Sequence, residues 1–217
     1  MYYSQGWAKL AYFKKIYVFK TDLYQKITTR KHKAQPVCNV VCMFYIDKPE
    51  VQASLTFFEQ DCLDTHNSYR RRHGTCALLW DEAIASGARN WSQFLLQNQS
   101  LLHDTTHSFG ENFGFLAIIP AQNICNSAAE TFCVRCSQIV DQWYNEFSNY
   151  NFNDGTPIDP SLPYLQFTQV VWRSSSKLGM GVASGGNSHY FVARYDPRGN
   201  VGGRFVREVP RVQPAGL

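Results

Sequence analysis

Residues 177–195 read KLGMGVASGGNSHYFVARY and predict a β-hairpin. The segments 177–184 and 189–195 are rich in apolar, β-branched and aromatic residues, as strands are. Between them, Gly185-Gly186-Asn187 supplies the residue types that tight turns use. We therefore expect two antiparallel strands close to the end of the chain.

Three helices are predicted upstream of the hairpin, because apolar residues recur there at steps of three and four. The first covers residues 58–69 and stops at Gly74, and the second covers 81–97 with Asp81 as its N-cap. The third covers residues 137–147. Helices followed by a terminal antiparallel hairpin indicate the α+β class.

The segments between these elements are expected to be irregular. Residues 103–112 are rich in Thr, Ser and Gly and predict a loop, and 149–163 contains three prolines that break regular structure. Residues 167–172 are β-branched and predict a short strand or a tight turn.

Charge divides the chain into two parts. Residues 1–54 hold nine Lys and Arg against three acidic residues, a formal charge of +6, whereas residues 55–217 hold twelve against fourteen, or −2. We therefore expect a basic, poorly ordered extension over 1–54, followed by one domain over 55–217. Such an extension can contact anionic lipid. Because no nucleic-acid motif is present, we expect no nucleic-acid partner.

The seven cysteines show no obvious disulfide framework, since their number is odd and their spacing irregular. Cys133-x-x-Cys136 with Cys125 is compatible with a metal site or a disulfide, but an ordinary loop insertion is favoured. This pattern favours a reducing compartment.

No signal peptide is readable at the N-terminus. The apolar run at 37–46 resembles a signal core but lies late, and it is too short to span a bilayer. We expect an intracellular location, cytoplasmic or peripheral on membranes. The alternative is an extracellular protein whose true N-terminus differs.

Several motifs in a fixed order carry a family resemblance. They are His66-Asn67-x-x-Arg70, Leu79-x-x-Glu82, His103 with Gly110-Glu111-Asn112, Trp143-Tyr144-Asn145-Glu146, Phe167-Thr168-Gln169-Val170-Val171-Trp172, Gly179-Met180-Gly181-Val182, and Pro197-x-Gly199-Asn200. Together they resemble the CAP superfamily, the cysteine-rich secretory, antigen 5 and pathogenesis-related proteins with an SCP domain. The residues of these motifs are most similar to those of the signal-less Golgi-associated plant pathogenesis-related branch and of helminth venom-allergen-like proteins.

The resemblance implies an α-β-α sandwich with a small central antiparallel sheet and a cleft with two His and two Glu. By this resemblance, the four cleft positions of the family correspond to His103, Glu111, Glu146 and Gln166 in this sequence. His103 is preferred over His107 on family spacing. Gln166 stands where the family has its second His, so His103, Glu111 and Glu146 would hold a divalent metal only weakly.

A glutamine amide is a poor zinc ligand, which makes zinc doubtful. No cofactor is required. His66 is expected to be a core residue rather than a ligand. The family connects residues 115 and 140 by a shorter segment, so the resemblance also implies an insertion at about 116–137.

The implied function is non-enzymatic binding of a lipid or membrane surface through the cleft and the basic extension. Acidic phospholipid or sterol is the expected partner, and a homodimer is compatible with the family. Trp143, Tyr150 and Phe152 are candidates to line a lipid groove, although packing in the core is the favoured alternative.

Two other functions remain open. One is a secreted, allergen-like effector that binds a protein partner. The other is a metal-dependent hydrolase that uses Glu111 as base and His103 as metal ligand.

Overall fold

The computed structural model describes residues 54–118 and 121–214. The basic extension, apart from Ser54, and the apolar run at 37–46 lie outside the described residues. The elements in chain order are α1 (Phe57–Arg72), β1 (Leu79–Trp80), α2 (Glu82–Asn98), β2 (Gly110–Ala117), α3 (Cys136–Asn145), a 3-10 turn (Glu146–Asn149), α4 (Leu165–Val170), β3 (Lys177–Gly185), β4 (Ser188–Asp196) and α5 (Phe205–Glu208). No helix within these ranges is long and apolar enough to cross a membrane.

The predicted hairpin is confirmed and forms the centre of a four-stranded sheet of order β1-β3-β4-β2. Strands β3 and β4 pair antiparallel, and Gly186 at their turn has a φ of 60°. Strand β2 pairs antiparallel with β4, while the short β1 runs parallel to β3. The sheet is therefore mostly antiparallel, and the α+β class is confirmed.

Helix α2 covers one face of the sheet at very short range. A Cβ atom on Gly179 would lie 2.1 Å from the backbone nitrogen of Ala85, and one on Gly181 would lie 2.4 Å from the backbone of Arg89. Only glycine allows this approach, so the two glycines of β3 fix where α2 lies.

The opposite face of the sheet carries the main core. Side chains alternate along β4. Val192 packs with the α2 residues Ala88 and Leu95, whereas Phe191 and Tyr195 belong to the main core with α1, α3 and α4. Helices therefore lie on both sides of the sheet, as in the expected α-β-α sandwich.

The helix starts follow local chemistry. The Asp81 side chain accepts the backbone N–H of Ile84 and caps α2, as predicted. Thr56 and Glu59 form a capping box at the start of α1. The third helix is shorter than predicted, since α3 ends at Asn145 and continues as the 3-10 turn.

Two sequence predictions about regular structure are wrong. Residues 167–172 were expected as a strand or turn, but Leu165–Val170 is helix α4, whose N-terminal amides are satisfied by the distant Glu146 carboxylate. The predicted loop 103–112 ends in strand β2 from Gly110 onward. The alternation of β2 is hard to recognise because it is an edge strand with two glycines.

The expectation that the cysteines form no disulfide framework is also wrong. Cys62 of α1 is bonded to Cys136 at the start of α3, and Cys125 is bonded to Cys133. Cys76 is disulfide-bonded as well. The Cys133-x-x-Cys136 motif is thus split between two bridges. Cys62 and Cys136 are separated by 74 positions in the sequence, and only the packing of α1 on α3 brings them together.

The described part of the predicted insertion is tied to the domain. Ile124 forms a parallel bridge with Val134, which is fully buried. The Arg135 guanidinium donates to the carbonyls of Ala128 and Glu130. These contacts and the Cys125–Cys133 bridge hold the segment against the start of α3.

Candidate functional site

A cleft of about 490 Å³ opens where β2, α4 and the segment after β4 meet. Its lining residues are His103, Phe109, Gly110, Glu111, Asn112, Phe113, Leu165, Gln166, Gln169, Arg198, Gly199, Asn200, Val201 and Gly202. Aromatic and aliphatic side chains therefore share the walls with amides, a histidine and an arginine. Three of the four predicted cleft residues are in this lining.

Glu111 is held by four hydrogen bonds. Its Oε1 accepts from His103 Nδ1 at 3.0 Å and from the backbone N–H of Asp104 at 3.1 Å. Its Oε2 accepts from His107 Nε2 and Arg194 Nε, each at 3.2 Å. Because both oxygens are occupied, the carboxylate acts here as a structural anchor for the residues around it.

Arg194 supplies the positive charge behind this carboxylate. Its Nη2 lies 2.6 Å from Asp104 Oδ2, so a single guanidinium bridges two carboxylates. A Cβ on Gly87 of α2 would lie 2.8 Å from Arg194 Nη1, so the missing side chain at Gly87 makes room for the arginine. Each carboxylate receives one charge-assisted hydrogen bond from the guanidinium, and such bonds are stronger than those between neutral groups.

The protonation of Glu111 follows from these contacts. Burial acts to raise its pKa, but the hydrogen bonds from His103 and Asp104 and the charge of Arg194 outweigh burial. The pKa of Glu111 is therefore below its usual value. The pKa of Asp104 is also lowered, by hydrogen bonds from Thr106 and by Arg194, which outweigh burial. Both side chains are ionised at neutral pH.

His103 and His107 both contact Glu111, although the sequence favoured His103 alone. His107 accepts the backbone N–H of Phe109 on Nδ1 at 3.1 Å, so its Nε2 carries the proton that it donates to Glu111. His103 lines the cleft with its side chain 61% exposed. His103, the predicted residue, is thus the exposed histidine in the cleft lining, and His107 donates a hydrogen bond to Glu111.

The second half of the predicted set is Glu146 and Gln166. Glu146 Oε2 accepts the backbone N–H groups of Gln166 at 2.9 Å and Phe167 at 3.4 Å, and so caps α4 from outside the helix. It also accepts a hydrogen bond from the Gln166 side chain, while burial raises its pKa. The side chain of Gln166 is thus hydrogen-bonded to the Glu146 carboxylate.

The donor set does not fit a zinc ion. No group of three or more His, Cys, Asp or Glu side chains among residues 54–118 and 121–214 could hold a metal ion. Glu111 is saturated by donors and Glu146 is committed to backbone amides. An amide oxygen at Gln166 would be a poor zinc ligand. Weak binding of a divalent ion by His103, Glu111 and Glu146 stays a prediction.

The three groove candidates lie elsewhere than the cleft lining. Trp143 and Tyr150 are core residues, each 2% exposed, and Trp143 donates its indole N–H to the carbonyl of Phe113. Phe152 is half-buried and stacks on His73, with the Arg211 guanidinium over its ring. Trp143 and Tyr150 therefore pack in the core, which is the alternative that the sequence favoured.

His66 is likewise a core residue. It is fully buried, with Nδ1 2.7 Å from the Cys62 carbonyl oxygen and Nε2 2.8 Å from the Tyr195 hydroxyl. Desolvation lowers its pKa to about 4, so the ring is neutral at physiological pH. Nδ1 therefore donates to the carbonyl, and Nε2 accepts from Tyr195.

Sequence reasoning missed the charged residues that support the cleft. Asp104 and His107 lie in the predicted loop 103–112, and Arg194 lies in the second strand of the predicted hairpin. The available signal was Arg194 itself, a charged residue in the apolar run Phe191-Val192-Ala193-Arg194-Tyr195. A buried position for an arginine implies nearby carboxylates.

Comparison with known proteins gives the same family at the levels of sequence and fold. Residues 63–195 match the model of the CAP family, described as the cysteine-rich secretory protein family. The human Golgi-associated plant pathogenesis-related protein 1 is 31% identical over 152 residues, covering 66% of this chain and 85% of that protein. A PR-1 type pathogenesis-related protein of Sambucus nigra is 30% identical over 146 residues, covering 67% and 79%.

The fold has solved counterparts. The structure of venom allergen-like protein 4 of Schistosoma mansoni superposes with a TM-score of 0.53 at 14% identity, covering 74% of this chain and 97% of that one. This likeness concerns the fold alone. Because the family model spans more than half of the chain and its motifs build the cleft described above, the chain belongs to the CAP family of cysteine-rich secretory proteins.

Proposed function

We propose that this CAP-domain protein is a non-enzymatic binding protein that holds an acidic phospholipid through its cleft and approaches membranes through its basic extension. The observation that carries the proposal is the set of hydrogen bonds that Glu111 accepts. Its two oxygens accept hydrogen bonds from His103, the Asp104 backbone, His107 and Arg194, so the carboxylate holds the cleft wall in place instead of reacting with a bound molecule.

Glu111 is poorly placed to be the base of a hydrolase. A general base needs a lone pair within reach of a substrate proton, and both Glu111 oxygens are already occupied. Among the described residues that line the cleft, none is a Ser, Thr, Cys or Lys that could attack a substrate. A metal-dependent hydrolase would further need ligands that Gln166 does not supply.

The walls of the cleft suit an amphiphile with an anionic end. Phe109, Phe113 and Leu165 give it apolar surface, while Arg198 gives it a positive charge. Arg198 is exposed and forms no ion pair with any described carboxylate, so its charge is available to a phosphate. A sterol could use the apolar walls but not this arginine, and we therefore prefer a phospholipid.

The extension would add a salt-dependent attraction. Its formal charge of +6 contrasts with −2 for the rest of the chain. Each basic group near an anionic membrane surface contributes on the order of 1 kcal/mol, within a Debye length of about 10 Å. We expect the extension to dominate contact with vesicles and the cleft to dominate capture of single lipids. Homodimer formation stays open.

The disulfides favour a second candidate, a secreted effector that binds a protein partner. The bridges Cys62–Cys136 and Cys125–Cys133 are stable in oxidising compartments and rare in the cytosol. We propose that the protein matures in such a compartment, which supports the extracellular alternative over a cytoplasmic location. Lipid capture and effector activity are compatible with one another.

Native mass spectrometry tests the cleft proposal. The full chain is incubated with vesicles of phosphatidylserine and phosphatidylcholine, separated from them, and weighed intact. We expect one phospholipid of unaltered mass per chain, with the anionic lipid enriched. Arg198→Gln should reduce loading of phosphatidylserine several-fold, while Arg204→Gln, an exposed arginine outside the cleft lining, should not. Absence of bound lipid, or equal loading of both variants, would contradict the proposal.

A further inference from the structure

We infer that Asn98 is an acceptor for an N-linked glycan. The chain contains two Asn-x-Ser tripeptides, Asn90-Trp91-Ser92 and Asn98-Gln99-Ser100, and in neither is the middle residue proline. This tripeptide is the acceptor sequence for N-glycosylation in secreted proteins. The structure separates the two tripeptides by their place in helix α2.

Asn98 lies where α2 ends. It is the last residue of the helix, and Gln99 takes a left-handed conformation with φ 47° and ψ 44°, so the chain turns away. The Asn98 side chain is exposed, and its Nδ2 donates only to the Phe94 carbonyl of the same helix, at 2.8 Å. A glycan on this nitrogen would project into solvent without displacing any packed group.

The tripeptide at Asn90 lies in the middle of the same helix. Ser92 is fully buried, and its hydroxyl donates to the Arg89 carbonyl at 2.8 Å. Its backbone and side chain are therefore committed to α2 once the helix forms. Asn98-Gln99-Ser100, in contrast, keeps a turn conformation in the folded protein.

The disulfides supply an independent argument about the compartment. Two bridges within the domain, Cys62–Cys136 and Cys125–Cys133, indicate folding in an oxidising lumen. Transfer of N-linked glycans takes place in that compartment. An acceptor tripeptide with an exposed asparagine and a disulfide framework thus point to the same processing route, and neither depends on what the cleft binds.

The transfer is a balanced substitution. The Asn98 Nδ2 attacks the anomeric carbon of an oligosaccharide carried on a lipid pyrophosphate, forming a carbon–nitrogen bond. The bond between that carbon and the pyrophosphate oxygen breaks, the lipid pyrophosphate leaves, and the amide gives up one proton. No oxidant or reductant is needed.

A glycan at Asn98 would stand over an apolar surface. Phe94, Leu101 and Leu102 flank the tripeptide and are exposed. Leu102 directly precedes His103 at the edge of the cleft. The sugar would therefore shield three apolar side chains that are outside the cleft lining.

Glycopeptide mapping tests the inference on the full chain expressed in eukaryotic cells. Enzymatic removal of the glycan in heavy-oxygen water converts a glycosylated Asn98 to a mass-labelled aspartate. We expect the label in the wild type and in Ser100→Thr, which preserves the acceptor sequence, and its loss in Ser100→Ala. The Ser100 hydroxyl is buried and has no partner in the described part of the chain, so Ser100→Ala should not impair folding.

Two further variants complete the design. Asn90→Gln should keep the label at Asn98, and Asn98→Gln should lose it even if Ser100→Ala is poorly folded. An unmodified Asn98 in the wild type would overturn the inference, whether the cysteines are recovered oxidised or reduced. A heavy-oxygen label that persists at Asn98 in Ser100→Ala would show that the label arises by deamidation and not from a glycan, and would also overturn it.

Discussion

Arg194 and Glu111 are direct cross-strand partners in the β2–β4 ladder, and their side chains form an ion pair that is almost closed to solvent. Arg194 Nε lies 3.2 Å from Glu111 Oε2, with the two side chains 6% and 3% exposed. The same guanidinium contacts Asp104. The geometry of the cleft wall therefore depends on one buried cation.

Replacing Arg194 should be strongly destabilising. Arg194→Gln leaves Glu111 and Asp104 as neighbouring buried carboxylates, and loss of one partner of a buried pair costs about 3–5 kcal/mol. Urea denaturation at neutral pH measures the change in the free energy of unfolding. Arg194→Lys, which keeps the positive charge, should lower the free energy of unfolding by less. A loss below about 1 kcal/mol for Arg194→Gln would show that water already compensates the two carboxylates.

This arginine also shows what the sequence could and could not predict. Asp81 and the Gly185-Gly186-Asn187 turn act through neighbours a few residues away, so α2 and the hairpin were predictable. Helix α4 was not, because its cap is Glu146, about twenty positions upstream. The Arg194 cluster joins residues from a loop and two strands, and no local pattern reports such contacts.

The cleft itself was partly predictable for the same reason. Motif order assigned four residues to it, and three of them, His103, Glu111 and Gln166, line it. The fourth, Glu146, is outside the lining and caps α4. Neither the support from His107 nor the saturation of Glu111 is visible in the motifs, since both arise from the path of the chain between Asp104 and Gly110. The Cys62–Cys136 bridge likewise depends on how α1 packs on α3.

Acid should weaken the fold through His66. Burial lowers the pKa of His66 to about 4, while the unfolded chain has a value near 6.5. The unfolded state therefore binds more protons between pH 6.5 and 4, so stability is complete above pH 6.5 and falls as the pH drops. The loss approaches about 3 kcal/mol at pH 4.

The check is urea denaturation at several pH values between 7.5 and 4.5. His66→Gln cannot titrate and keeps a polar side chain, so the dependence of its unfolding free energy on pH should flatten in this window. An unchanged slope in His66→Gln would assign the acid sensitivity to other groups.

The two described disulfides should differ in their contribution to stability. Cys62–Cys136 closes a loop of 74 positions and Cys125–Cys133 one of 8. Loop-closure entropy alone gives about 4.5 kcal/mol for the first and about 2.5 kcal/mol for the second. Calorimetric melting of the two double Cys→Ala variants compares them. A larger drop in Tm for the Cys125–Cys133 variant would show that the insertion, rather than α1 and α3, limits stability.

Introducing a second imidazole into the cleft should raise the affinity for zinc. In Gln166→His, the new ring would stand beside Glu146 as His103 stands beside Glu111. Titration calorimetry at neutral pH should show weak zinc binding by the wild type and binding tighter by about an order of magnitude or more in Gln166→His. A sub-micromolar wild-type site that is lost in His103→Ala would contradict the account of this cleft.

Co-sedimentation with vesicles across a salt series tests the central claim most directly. The wild-type chain is compared with a full-length variant in which six basic residues of the extension are replaced by glutamine, which brings the formal charge of residues 1–54 from +6 to zero. The six are Lys9, Lys14, Lys15, Arg30, Lys31 and Lys33.

The account predicts that the wild type binds phosphatidylserine vesicles at low salt and releases them as salt rises, since screened charges drive the contact. The variant with six glutamine substitutions should bind vesicles weakly at every salt concentration and still capture single phospholipids in its cleft. Equal, salt-resistant vesicle binding by both proteins would contradict the electrostatic role of the extension. Failure of both to bind vesicles or capture lipid would contradict the proposed function as a whole.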